Sequence, residues 1–244
     1  MFGYGYNNTF LYVILVIMVI TNLLNGGFNL VSLLLTLPGV FIALTFHEFA
    51  HAYAADKLGD DTPRRQGRLN LNPLSHIDPF GFVMLLFAGI GWGKPVEINP
   101  RNFDRKVSMT AGEAIVAFAG PLMNMLLALV FTIIFYAVGT FAPTTFTLSQ
   151  VGIIVMTILQ SIVFVNIGLG VFNLIPLPPL DGSKIVMHFL PYNAKVWVQD
   201  HMQLFYIIFL IIWITPIASM IISPAIQGIA AGLNAVVGGV FQLF

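Results

Sequence analysis

The chain has 244 residues, of which 58% are hydrophobic and only 8% charged, and its mean hydropathy is +0.91. Soluble domains carry about 25% charged residues, so the composition excludes a soluble enzyme and specifies a polytopic membrane protein. The formal net charge is +0 and cysteine is absent, which leaves no basic surface for nucleic acid, no disulfide and no thiolate ligand.

The first apolar stretch, 9–25, is preceded by no Lys or Arg, so it reads as a span and not as a cleaved signal peptide. The second, 28–55, contains Pro38-Gly39, which predicts a kink, and then His47-Glu48-Phe49-Ala50-His51. His and Glu are so scarce here that an H-E-x-x-H pattern arises in about one shuffled chain per thousand. On a helix, residues i and i+4 lie about 40° apart in projection, so both imidazoles can reach one metal ion. Glu48 falls on the same face, placed to take a proton from activated water without being a ligand.

The stretch 80–91 is too short to cross a bilayer and suits a re-entrant or interfacial piece. After it, Lys94-Pro95-Val96-Glu97-Ile98-Asn99 alternates enough to form a short strand that could take an extended peptide by strand addition. An ordinary interfacial loop accounts for the same residues equally well. Further spans are expected at 109–139, 148–172, 203–222 and 225–243, which makes six in all.

Every charged side chain lies between Glu48 and Asp200. With the N-terminus inside, the cytoplasmic loops are 56–108 and 173–202. They hold Lys57, Arg64, Arg65, Arg68, Lys94, Arg101, Arg105, Lys106, Lys184 and Lys195, which is every Lys and Arg in the chain. The loop 139–148 has none, so the positive-inside rule puts the His47–His51 turn near the cytoplasmic end of its span. Arg64, Arg65 and Arg68 are read as topology charges, and Asn124 as an interhelical hydrogen-bond partner.

Two His do not complete a catalytic zinc site, which takes a third protein ligand and an open position. On leaving 148–172 the chain reads Asn173-Leu174-Ile175-Pro176-Leu177-Pro178-Pro179-Leu180-Asp181-Gly182. Three prolines in four residues cannot continue a helix, and irregular backbone at membrane depth needs protein or a wet cavity beside it. Asp181 is there as a ligand, or as the N-cap of a helix over 182–190. His76, in the loop 72–79, is a weaker third-ligand candidate.

The two motifs in this order resemble the site-2 protease family of intramembrane zinc metalloproteases. Asn72-Pro73-Leu74-Ser75-His76-Ile77-Asp78-Pro79, Gly91-Trp92-Gly93-Lys94-Pro95 and Ala119-Gly120-Pro121-Leu122-Met123-Asn124 fit the same family, and the likeness runs from about 38 to 190. The resemblance implies one zinc ion held by His47, His51 and Asp181, with Glu48 as catalytic base. It also implies Asn173, eight residues before Asp181, as a polar group near the substrate carbonyl, with His76 the weaker alternative for that role. The expected protein is an all-α integral membrane metalloprotease in one domain, 1–244, compact and without a PDZ-like insertion or nucleotide-sensing domain. The implied substrates are transmembrane segments of other membrane proteins, cut near the cytoplasmic face of a prokaryotic plasma membrane. A membrane metal transporter is the rival from another class, since intramembrane His and Asp also bind zinc in transit.

Overall fold

Helix α1, Leu30–Lys57, starts where the Asn29 side chain accepts the Ser32 N–H at 3.1 Å. In this computed structural model, which describes residue 20, residues 29–88 and residues 91–244, α1 runs as one helix through Pro38-Gly39. The expected span 9–25 lies outside the described residues but for its residue 20. Two short helices, α2 (Thr62–Arg65) and α3 (Pro73–His76), and a ten-residue helix α4 (Pro79–Ala88) follow. At about 1.5 Å per residue α4 is half the length of a span, as its sequence predicts.

Helix α5, Met109–Phe141, is capped by Ser108, and α6 (Thr144–Thr147) turns the chain into α7, Gln150–Asn173. Helices α1, α5 and α7 pack on one another. Small residues let them approach: a Cβ on Gly39 would stand 3.1 Å from the Ile162 backbone, so α1 and α7 touch main chain to main chain there. The buried face of α1 is small or polar, including Ala43, Thr45, His47, Glu48 and His51, while Leu30, Val31 and Leu34 are exposed. Large apolar residues outward and polar residues inward is the distribution a lipid solvent selects.

Helix α8 covers Asp181–Phe189, with a cis Pro178-Pro179 peptide in the turn before it. Helices α9 (Tyr192–Asp200) and α10 (Met202–Ile214) meet at a bend of 68°, and α11 spans Ile217–Phe241. Among the described residues four helices (α1, α5, α7 and α11) are long and apolar enough to cross a membrane, or five with the bent pair counted as one span. The expected segments 203–222 and 225–243 need correction. The break falls at Thr215-Pro216, and Pro224 lies inside α11. Thr215 is extended, as the residue before a proline prefers, and this ends α10.

The short strand expected over 94–99 does not form among the described residues; one isolated antiparallel bridge joins Ile77 to Gly93. Three backbone N–H groups of the segment are spent elsewhere. The Lys94 N–H reaches the His76 carbonyl at 2.8 Å, the Val96 N–H reaches Glu48, and the Asn99 N–H reaches Asp60 at 2.6 Å. Arg68, read from the sequence as a topology charge, is buried and donates to the carbonyls of Ser75 and Lys94. Asp60 is fully buried, and burial alone would raise its pKa. Hydrogen bonds from Thr62, Asn99 and Asn102 outweigh that, hold the carboxyl below its ordinary range and pin the 99–102 turn to the end of α1.

Candidate metal centre

His47 and His51 leave the same face of α1, one turn apart, and Asp181 meets them from the first residue of α8. His47 Nε2 lies 3.2 Å from Asp181 Oδ2, His51 Nε2 lies 3.1 Å from the same oxygen, and the two Nε2 atoms are 3.0 Å apart. All three residues are buried, and among the described residues this is the group able to hold a metal ion. Leu180, not Asp181, is the N-cap of α8, and no side-chain cap bond forms there. Gly182 makes the approach possible, because a Cβ at that position would run into the carbonyls of Leu174 and Ile175.

The hydrogen bonds behind the imidazoles say what the three atoms need. His51 Nδ1 lies 2.6 Å from the Val116 carbonyl, which can only accept, so Nδ1 carries the proton. His47 Nδ1 lies 2.7 Å from Asn124 Oδ1, and the Asn124 amide nitrogen is committed to the Ala43 carbonyl and to Asn166 Oδ1. In the Nδ1-protonated tautomer, the form in which an imidazole ligates a metal through Nε2, both Nε2 atoms present lone pairs to each other and to a carboxylate oxygen. Three acceptors at 3.0–3.2 Å repel unless a cation lies among them. Ligands at about 2.0–2.1 Å from a tetrahedral zinc stand about 3.3 Å apart, so the group fits that ion with little adjustment.

Glu48 is buried beside the His pair without joining it. Its Oε2 accepts the Val96 N–H at 2.9 Å, so the 93–96 backbone lies directly against the carboxylate. Asn173, the last residue of α7, is half-buried and donates from Nδ2 to the Leu169 carbonyl of its own helix at 3.0 Å. It is not part of the His47, His51 and Asp181 group. His76 is fully buried outside that group, with Nε2 2.8 Å from the Asn70 carbonyl. Burial holds its imidazole below the ordinary pKa range, with the Arg68 charge adding to the effect, so the ring is neutral. The inward face of α7 also brings Asn166, which the sequence reading did not single out, against Asn124 behind His47. The single Asn within the expected span 148–172 was the signal that could have found it.

Gly120 on α5 gives the rings their room. A Cβ there would stand 2.5 Å from His51 Nε2, 2.6 Å from His51 Cε1 and 2.7 Å from His47 Cε1. Gly120→Ala is expected to displace both rings and lower zinc affinity about 5- to 150-fold, the equivalent of the roughly 1–3 kcal/mol that overpacking costs. Gly139→Ala on the same helix meets only Met156 Cε, at 3.7 Å, and should leave affinity unchanged. Zinc titration of the two purified variants makes the comparison.

Residues 35–215 match the sequence profile of peptidase family M50. YwhC of Bacillus subtilis, named a candidate zinc metalloprotease, is 34% identical over 203 residues, covering 83% of this chain and 90% of its own. Rip2 of Mycolicibacterium smegmatis, named likewise, is 30% identical over 187 residues, 75% of this chain and 68% of its own. MJ0611 of Methanocaldococcus jannaschii, also so named, is 28% identical over 189 residues, 77% of this chain and 85% of its own. No solved structure matches the chain. A profile covering most of the chain, relatives named as candidate zinc metalloproteases and a buried His-His-Asp group agree: the chain belongs to peptidase family M50, the site-2 protease family, and is an integral membrane zinc metalloprotease.

Proposed function

We propose that this single membrane domain, 1–244, hydrolyses peptide bonds in or near transmembrane segments of other membrane proteins, close to the cytoplasmic face of a prokaryotic plasma membrane. The observation that carries the reading is the buried convergence of His47, His51 and Asp181 with Glu48 alongside, inside a bundle whose outer surface is apolar. His47, His51 and Asp181 hold the zinc, which when bound supplies Lewis acidity for activating water and polarising a carbonyl. Glu48 takes the proton of the attacking water and returns it to the leaving amine. Asn173 steadies the developing oxyanion once its amide turns from the Leu169 carbonyl to the substrate.

Peptide bonds in a helix are shielded by their own hydrogen bonds, so a substrate segment must unwind locally before it is cut. The stretch 94–99 beside Glu48 is the proposed receiver of the unwound segment, through the backbone groups that the internal contacts of Lys94, Val96 and Asn99 leave over. Gly, Asn or Pro near the scissile bond should therefore speed cleavage relative to a Leu- and Ala-rich span. The test uses purified protein in liposomes with a membrane-spanning substrate. Cleavage that a chelator stops and zinc restores is expected; zinc flux without cleavage would instead identify a transporter.

Orientation follows from the Lys and Arg distribution and has its own check. The native chain has no cysteine, so a single introduced thiol reports without background. Thr145→Cys, at an exposed position, should react with an impermeant thiol reagent from outside intact cells, and Gln66→Cys should not. The reverse pattern would invert the topology.

A further inference from the structure

Asn166 touches no metal-ligand candidate. It sits in the middle of α7, fully buried, and its carboxamide is fixed at both ends. Its Nδ2 donates to the Ile162 carbonyl one turn back, at 2.8 Å. A carbonyl only accepts, so the other end, Oδ1, must face α5. There it accepts from Asn124 Nδ2 at 2.9 Å. The second Asn124 N–H goes to the Ala43 carbonyl of α1 at 3.1 Å, and the remaining atom, Oδ1, faces His47 Nδ1 at 2.7 Å. Each contact in this buried chain pairs one donor with one acceptor, and reversing either amide would set oxygen against oxygen.

We infer that Asn166 is a positioning residue for the zinc site. By holding the Asn124 amide in one direction it keeps the His47 proton on Nδ1 and the lone pair on Nε2 toward the metal. The inference rests on the reading of His47 as a zinc ligand. Groups that orient a ligating His from behind typically alter metal affinity 10- to 100-fold, through the tautomer and ring direction they impose. Asn124 is the direct partner and Asn166 acts through it, sharing the work with the Ala43 carbonyl, so its effect is the smaller one.

The experiment measures zinc affinity of the full-length protein in detergent, by competition with a chelating dye, and needs no catalysis. His47→Ala sets the scale for loss of a ligand. Asn124→Leu should weaken binding about 10- to 100-fold and Asn166→Leu about tenfold. The double variant should bind no more weakly than Asn124→Leu alone, because Asn166 has nothing left to act on. Asn166→Asp is the conservative control. Burial favours its protonated form, which has one donor and one acceptor in the places of the amide, and affinity should stay within about threefold of wild type. Asn166→Ala replaces the Leu variant if the latter fails to fold. Wild-type affinity in Asn166→Leu or Asn166→Ala, or losses that multiply in the double variant, would overturn the inference. Undiminished affinity in His47→Ala would overturn the ligand assignment beneath it, and the two failures are thereby told apart.

Discussion

Replacing Glu48 by Gln is expected to lower cleavage at least about 10²–10⁴-fold, the usual worth of a positioned general base, while zinc stays bound. The substitution is informative because of what it preserves. Gln is isosteric, and its Oε1 can still accept the Val96 N–H, so the 93–96 segment keeps its contact with α1. Only the ability to hold and return a proton is removed. Glu48→Ala would also free that backbone donor and disturb the loop, so its loss of activity would have two causes. Single-turnover cleavage of a membrane-spanning substrate, run beside metal analysis of the same preparation, separates them. Loss of zinc in Glu48→Gln would make Glu48 a ligand and the assigned roles wrong.

Asp181→Ala should be the most damaging single change to the metal. It removes the one anionic donor from the group and leaves two imidazoles whose Nε2 atoms are 3.0 Å apart. The loss of zinc affinity should exceed the roughly 100-fold that outer partners can cost, and proteolysis should vanish with the metal. His76→Ala has the opposite profile. His76 is fully buried among loop backbone, so its removal should cost stability in the 70–77 region but leave zinc affinity within about the tenfold lower bound for such outer groups. Zinc titrations of both variants decide it, and a reversed order would move the coordination sphere onto the 72–79 loop.

What could be read in the chain, and what could not, follows from the range of the interactions. The His47–His51 spacing is a property of one helical turn, and Pro176-Leu177-Pro178-Pro179 interrupts any helix locally, so both features are visible in a few residues. The convergence of Asp181 on that turn joins positions far apart in sequence; the local reading left it as ligand or helix cap, and the resemblance to a family favoured the ligand before the structure gave the distances. Arg68 looked like one more loop charge. Its burial depends on the carbonyls of Ser75 and Lys94, which no local pattern announces. The 94–99 segment alternates like a strand, yet its N–H groups are claimed by Glu48 and Asp60 from other elements, so no ladder forms. The end of α10 was misplaced because two prolines, Pro216 and Pro224, are both local breakers. Packing decides which one interrupts the helix.

The most direct test of the account is the coordination of the metal in purified wild-type protein, read from zinc content and zinc X-ray absorption. The account predicts one zinc per chain, bound by two imidazole nitrogens and carboxylate or water oxygen at about 2.0–2.2 Å, and lost together with activity in His47→Ala, His51→Ala or Asp181→Ala. Folded, active protein without zinc, or zinc retained when these three residues are replaced together, would contradict it.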